Sequence, residues 1–164
     1  MMLVGGGRRS ARRLAAASVL IALLSGCSAT STEEPSDAPA TLDPDSYATE
    51  LVQLTNETRA EEGLEELELS ECARDAALER AAALVGEEEL VHAPLAPIIA
   101  ACAPLTTAAE NLVNSTAVPI DVVEAWLGSP GHRANIVDPD LTELGIGCVP
   151  DGHKTLCSQV FLGP

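Results

Sequence analysis

The sequence predicts an α+β protein in which helices come first and an antiparallel sheet comes last. Apolar residues recur at helical spacing in several segments between Asp45 and Leu127. Near the carboxyl end, two apolar runs are separated by P-D-G-H at 150–153, the turn signal of a β-hairpin. Helices followed by strands are typical of a sheet covered by helices. About 120 residues follow position 44, which is enough for a single hydrophobic core.

Residues 1–26 have the composition of a lipoprotein signal peptide. Arginines at positions 8, 9, 12 and 13 precede an apolar run of 11 residues, 14–24, and the sequence L-S-G-C at 24–27. A run of this length is too short for a permanent membrane-spanning helix. L-S-G-C resembles the bacterial lipobox, which implies cleavage before Cys27, diacylglycerol on its sulfur and a fatty acyl group such as palmitate on its amino group. We therefore expect an extracytoplasmic protein, exported by the Sec or the twin-arginine route and lipid-anchored to the bacterial cell membrane.

The segment 27–44 is predicted to be a lipidated cysteine followed by a disordered tether. From Ser28 to Pro44 the chain is rich in Ser, Thr, Pro, Glu and Asp and has almost no large apolar residue. Such a segment cannot bury enough surface to offset the entropy lost on ordering. The folded domain is therefore predicted to cover 45–164.

The charge of the mature chain excludes one class of partner. Four of the nine basic residues precede Cys27 and all 25 acidic residues follow it, so five basic residues remain and the net charge is −20. A surface this acidic repels phosphate backbones and anionic lipid headgroups. We expect no nucleic-acid partner, and membrane association through the lipid alone.

Four cysteines remain beyond Cys27, and their even number in an exported chain predicts two disulfide bonds. Three connectivities can be drawn. A hairpin folded about positions 152 and 153 would place Cys148 opposite Cys157, which favours that pair and leaves Cys72 with Cys102. No C-x-x-C pair is present, which argues against a zinc site built from cysteines.

The first helix is predicted from Asp45, with Ser46 near its cap, to a stop at Gly63. Its apolar face is predicted to contain Tyr47, Leu51, Leu54 and Thr58. Asn56 and Arg59 lie on the other side, where they are expected to donate hydrogen bonds to loops rather than fill the core.

The second helix is predicted from Glu71 to about Val85, with Ser70 as its cap and Gly86 as its stop. Alanines at 73, 76, 77, 81, 82 and 83 would allow close packing. The Pro- and Ala-rich connection 93–107 is long enough to need an anchor, and Cys102 supplies one.

The stretch 122–136 contains the single tryptophan and a histidine at the start of a helix. Pro119 is placed to begin the first helix of this stretch and Gly128 to end it, while Ser129 and Pro130 begin a short second helix. His132 then lies in the first turn of that helix. Taken by itself, this stretch is equally consistent with a histidine that packs locally and with one that lines a binding site.

Eight motifs occur in an order that resembles the CAP superfamily, also called the SCP or cysteine-rich secretory, antigen 5 and pathogenesis-related 1 family. The closest likeness is to its compact bacterial members. The motifs are N-E-T-R at 56–59, Gly63 with Leu64, the alanine-rich second helix, L-V-H at 90–92, A-E-N-L at 109–112, A-W-L-G-S-P-G-H-R-A-N-I at 125–136, L-G-I-G at 144–147 and Q-V-F at 159–161.

The resemblance implies an α-β-α sandwich with a three-stranded antiparallel sheet between helices. It also implies a cleft in which His92, Glu110 and His132 meet. Two imidazoles and a carboxylate suit a divalent cation such as zinc, or a carboxylate that orients a histidine base. The second acid of the fuller family pattern is replaced by Ser129, and Glu124, on another helical face, is a weaker candidate for that role.

No G-x-S-x-G, phosphate-binding loop, H-E-x-x-H or G-x-G-x-x-G motif is present. Members of the family resemble secreted interaction or lipid-binding modules. We therefore expect a monomeric, non-catalytic module that binds a small apolar ligand, a cell-envelope component or a protein. The alternative is a metal- or histidine-dependent hydrolase of peptide or ester bonds. In a third, purely structural interpretation, five polar residues form a hydrogen-bond network that holds loops: Asn56, Arg59, Glu110, His132 and Asn135.

Overall fold

The computed structural model describes residues 43–164, and the predicted signal peptide, Cys27 and the tether up to residue 42 lie outside this range. Five helices and four strands are present in the described range. They are α1 Pro44–Glu61, β1 Glu68–Leu69, α2 Glu71–Ala83, α3 Ala96–Ala101, β2 Thr107–Ser115, α4 Pro119–Leu127, α5 Pro130–Ile136, β3 Glu143–Asp151 and β4 Lys154–Gly163. No helix within 43–164 combines the length and the apolar character needed to cross a membrane.

Helix α1 begins at Pro44, one residue earlier than predicted, and its cap residue is Asp43, with Ser46 near the cap as expected. The Asp43 carboxylate accepts a hydrogen bond from the Ser46 backbone N–H at 3.1 Å, and Pro44 occupies the first turn, where no N–H is needed. The buried side of α1 contains Tyr47, Leu51, Thr55 and Arg59. The predicted Leu54 and Thr58 are only partly buried.

The prediction that Arg59 lies outside the core is wrong. Its side chain is among the most deeply buried in the described residues. Its guanidinium donates to the carbonyl oxygens of Glu65, Ile136, Asp138 and Leu141. The expectation that it holds loops is confirmed, but it does so from inside the core.

The sheet has the strand order β1-β3-β4-β2. Its three long strands are antiparallel, as the family resemblance implied, and β1 adds a fourth strand of two residues that is parallel to β3. The short β1 was missing from the prediction because a two-residue strand has no periodicity to detect.

The terminal hairpin has the predicted register, with Cys148 opposite Cys157 and a positive φ of 63° at Gly152 in its turn. Both predicted disulfides, Cys148–Cys157 and Cys72–Cys102, are confirmed.

Helices cover both faces of the sheet, which confirms the α-β-α sandwich. The larger core lies between one face and α1, α4 and α5, and includes Trp126 and Phe161. The smaller core lies between the other face and α2 and α3, where Ala73 and Ala77 pack beside Val160. Alternate residues of β4 therefore face different cores, so Ser158 points to the α2 side and Gln159 to the α1 side.

The motif L-G-I-G is explained by close packing of β3 on α2. A Cβ added at Gly145 would lie 2.0 Å from the Arg74 backbone nitrogen, and one at Gly147 would lie 2.4 Å from that of Leu78. Only glycine allows the strand to approach the helix backbone this closely.

Candidate functional site

Glu110 is the centre of the candidate site. It lies in β2 on the α2 side of the sheet, and its side chain is 1% exposed. Arg80 of α2 donates from Nε to Oε1 at 2.6 Å and from Nη2 to Oε2 at 2.9 Å. His92 Nδ1 lies 2.7 Å from Oε2, and the Ser158 hydroxyl donates to Oε1 at 2.8 Å. Both oxygens of this carboxylate are thus engaged by protein groups.

The surroundings of Glu110 keep its carboxyl group ionised. Burial by itself would raise the pKa of Glu110, but hydrogen bonds from Arg80, His92 and Ser158, together with the charge of Arg80, outweigh it and lower the pKa below 4.5. The buried charge is therefore compensated by a bidentate arginine, the geometry that suits a carboxylate best.

Arg80 also fixes the segment that carries His92. Its Nη2 donates to the carbonyl oxygen of Ala93 at 2.6 Å, and its Nη1 lies 3.4 Å from that of Pro94. Arg80 was not among the predicted site residues. A usable signal was present, because position 80 falls on the same helical face as the buried Ala73 and Ala77.

His132 lies in the first turn of α5, as predicted, and is near enough to His92 for their charges to interact. Burial, followed by the positive charge that His92 can carry, lowers the pKa of His132 below 6.5. Its ring is therefore neutral near pH 7. Asn111 of β2 donates to the His132 carbonyl oxygen at 3.3 Å, and Asn135 donates to that of Glu110 at 3.2 Å. These bonds attach α5 to the edge strand.

A chain of amide and hydroxyl groups continues from α5 through the sheet to α1. Asn135 donates to Asn111 Oδ1 at 2.8 Å, Asn111 to Gln159 Oε1 at 2.9 Å, and Gln159 to Thr55 Oγ1 at 2.8 Å. Asn135 was predicted to belong to such a network. The other three residues were not, because their contacts depend on strand register.

Asn56 and Arg59, which were also expected in this network, form separate contacts. Asn56 exchanges two hydrogen bonds with the backbone of Leu67, and Arg59 binds the loop carbonyls described above. The polar residues of the motifs therefore hold the fold at more than one place.

Helix α4 supplies an anchor to the site but no charged group. Trp126 is buried, and its indole N–H donates to the Leu112 carbonyl oxygen at 3.2 Å, two residues beyond Glu110. Glu124 is exposed on this helix and makes no side-chain hydrogen bond or ion pair with any residue in 43–164, so the structure does not bring it to Glu110. Ser129 begins α5 without a capping hydrogen bond from its side chain.

The geometry does not fit the predicted divalent cation at His92, Glu110 and His132. Within 43–164, no three His, Cys, Asp or Glu side chains are grouped closely enough to hold a metal ion. The carboxylate already accepts two bonds from the guanidinium of Arg80, and a second cation at Glu110 would be repelled by the first. The counter-ion of the Glu110 carboxylate at this site is the guanidinium of Arg80.

The fold and this site together define a single SCP-type domain, and comparison with known proteins agrees. The profile of the cysteine-rich secretory protein family, CAP, matches residues 52–161. The chain belongs to this family. The uncharacterized protein YkwD of Bacillus subtilis is 30% identical over an alignment of 140 residues, and the match covers 82% of this chain and 51% of that protein. The chain thus spans about half the length of the curated relative that it matches.

Solved structures show the same fold. An extracellular protein containing an SCP domain from Bacillus anthracis is 23% identical with a TM-score of 0.64, and the match covers 76% of this chain and 45% of that one. A cysteine-rich secretory protein from Staphylococcus aureus is 20% identical with a TM-score of 0.66, covering 77% of this chain and 40% of that one. An outer surface protein from Borrelia burgdorferi is 22% identical with a TM-score of 0.66, covering 74% and 96%.

Proposed function

We propose that this protein is a lipid-anchored, extracytoplasmic CAP-domain protein that acts by binding, not by catalysis. Its ligand is a small apolar molecule of the cell envelope. The anchor is supported by the L-S-G-C sequence that ends at Cys27 and by the two disulfides, which suit an oxidising compartment. Replacement of Cys27 by serine should release the protein from the membrane fraction into the soluble fraction.

The non-catalytic role is supported mainly by the carboxylate of Glu110, because protein groups occupy all the hydrogen-bonding positions of its two oxygens. Arg80, His92 and Ser158 together make four contacts of 2.6–2.9 Å with its two oxygens. A carboxylate in this state holds the fold together. It has no free oxygen to coordinate a metal ion or to accept a proton from a substrate.

An apolar cavity of about 360 Å³ lies beside Arg80 and supports the apolar ligand. Its walls come from α2, α3 and the segment between them, and include Ala83, Val91, Ala93, Pro94 and Ile98. The volume is within the range of small-molecule sites, which are mostly apolar with a few polar groups. Val91 is 63% exposed at its rim.

Binding of a fluorescent fatty acid tests this function. The protein, purified without its Cys27 anchor, is titrated with dansyl-labelled undecanoic acid, and its extract is analysed for copurified lipid. Ala83→Trp should fill the cavity and weaken binding about tenfold. Ala82→Trp is the matched control, because Ala82 is also exposed on α2 but does not line the cavity. Equal affinities of the two variants, or no binding and no copurified lipid, would contradict the proposal.

A histidine-dependent hydrolase is the second candidate, and one contact favours it. His92 lies 2.7 Å from Glu110 through Nδ1 while its side chain is 51% exposed, so Nε2 can face a substrate or a water molecule. A carboxylate that orients an imidazole is the arrangement of a general base. Peptide and ester substrates are assayed with wild type, His92→Ala and His132→Ala, in zinc and in chelator. Activity that both substitutions abolish would establish this candidate and overturn the binding proposal.

A further inference from the structure

The edge of the sheet at β3 is left mostly uncovered by β1. The two strands pair only at Glu68–Glu143 and Leu69–Leu144, after which the chain turns away into α2. The remaining residues of β3, from Gly145 to Asp151, have β4 on one side and no strand on the other within 43–164. This edge is far from Glu110, which lies in β2 at the opposite end of the strand order.

The direction of the free backbone groups follows from the bonds to β1. The Ser70 N–H donates to the Leu144 carbonyl oxygen at 3.0 Å, so the backbone of Leu144 faces the open edge. Backbone direction alternates along a strand, so the N–H and C=O groups of Ile146 and Cys148 face the same edge. Neither residue has a backbone hydrogen-bond partner on that side within the described chain, and their side chains pack into the larger core. An edge strand presents a row of unpaired N–H and C=O groups, and an added strand can pair with them.

A groove of about 530 Å³ lies over this edge between α1 and α2. Ile146 and the two glycines beside it form the floor, with Ala48 and Val52 of α1 and Leu78 of α2 as apolar walls. Leu69, 74% exposed, stands at one end.

The charges around the groove are mostly negative. Asp45 and Glu71 line it, and Glu68 is exposed beside Leu69. The single cation of the lining, Arg74, is paired with Asp75 at 3.3 Å.

We propose that this groove binds an extended, basic peptide segment of a partner protein, which adds to β3 as a further strand. The unpaired groups of Ile146 and Cys148 supply the backbone hydrogen bonds, as in other strand-addition complexes. The acidic rim attracts lysine or arginine side chains. A second copy of this chain is a poor occupant, because its groove would bring the same acidic residues against one another.

The probe is a fluorescein-labelled peptide of five residues that alternates lysine and valine, titrated into the full chain in detergent and followed by fluorescence polarisation. A peptide with glutamate in place of lysine should bind at least about tenfold more weakly. Thr49→Lys should weaken binding of the lysine peptide, because Thr49 is an exposed wall residue of the groove. Gln53→Lys is the matched control, one turn further along α1, with the same added charge outside the groove.

Backbone pairing is tested by two N-methylated forms of the peptide, each with methyl groups on one of the two sets of alternate amides. Only the set that faces β3 donates to it, so one form should lose binding and the other should keep it. Hydrogen exchange should slow at 146–148 when the unmodified peptide binds. Equal binding of the two methylated forms, equal effects of Thr49→Lys and Gln53→Lys, or no binding of the lysine peptide would each overturn the proposal. Fatty-acid binding beside Arg80 is measured separately and is unaffected by either result.

Discussion

Glu110 and Arg80 form a largely buried ion pair where the family resemblance implies a metal ion. The side chains are 1% and 13% exposed, respectively, so their attraction is little screened by water. A buried charge is tolerated only when a partner compensates it. Arg80 does this for Glu110 and at the same time binds the carbonyls next to His92. One residue therefore determines both the charge of the site and the position of its exposed histidine.

Replacement of Glu110 by glutamine should destabilise the protein by about 3 kcal/mol, because the largely buried guanidinium of Arg80 loses its counter-charge. The Glu110 pKa is lowered in the folded state, so this stabilisation is present above pH 4.5 and is lost as the pH falls through the lowered value. Urea unfolding at neutral and at acidic pH measures both effects. The exposed Glu124→Gln should change stability by less than about 0.5 kcal/mol. An unchanged free energy of unfolding in Glu110→Gln would show that the ion pair does not stabilise the protein as described.

His132 should make stability depend on pH over a range slightly below neutrality. Burial and the charge of His92 lower its folded-state pKa below 6.5, so the unfolded chain binds more protons in this range. The stabilisation is complete above pH 6.5 and decreases as the pH falls through the lowered value. His132→Gln should flatten the unfolding free energy between about pH 7.5 and about pH 5.5. The exposed His153→Gln, in the hairpin turn, should retain the wild-type dependence, and a wild-type dependence in His132→Gln would refute the assignment.

At the level of secondary structure, β3 packs very closely on α2. The alanines of α2 and the glycines of β3 remove side-chain volume from both sides of one interface, so strand and helix backbones nearly touch. The packing of the small core on this side therefore depends on the small size of these side chains as much as on their burial. It also places Arg80, at the end of the same helical face, above the β2 carboxylate.

Gly145→Ala should be among the most destabilising single-methyl additions available. Its Cβ would meet the backbone of residues 73 and 74, which cannot move without displacing α2. We expect a loss of about 3 kcal/mol or more, measured by thermal or urea unfolding. Gly131→Ala is the control, because nothing lies within 4 Å of its added Cβ and its φ is not positive. Similar stabilities of the two variants would mean that the strand can shift away from the helix.

For the whole molecule, the imbalance of charge is the dominant electrostatic feature. The described residues include five basic side chains, and four of them are engaged: Arg59 with carbonyls, Arg74, Arg80 and Arg133 with acids. Most of the remaining carboxylates therefore repel one another across the surface. Repulsion of this kind destabilises a compact chain and is reduced by salt.

Raising sodium chloride from about 20 mM to about 300 mM should increase the melting temperature by about 3 °C, because the screening length falls below the spacing of surface charges. The buried Glu110 pair is screened much less and should not offset this gain. Thermal unfolding followed by circular dichroism measures the effect, with choline chloride as a control for specific cation binding. A lower melting temperature at high salt would show that surface attractions outweigh the repulsion.

The sequence by itself determined the elements that rest on local chemistry. Proline and glycine set the limits of α4, the P-D-G-H turn set the register of the hairpin, and that register set both disulfides. The order of motifs determined the family and the sandwich. These features can be predicted from the sequence because each depends on residues close together in the chain or on a count of positions across one turn.

Only the tertiary structure decided what surrounds each polar side chain. Arg80 and Ser158 reach Glu110 from 30 and 48 residues away, and Arg59 reaches carbonyls up to 82 residues away. These contacts depend on how two helices and two strands are brought into register, which no local pattern encodes. The same packing left the β3 edge open, because β1 ends after two residues. The physical reason is that the role of a buried charged group depends on the groups that compensate its charge. Those groups are brought to it by the tertiary fold.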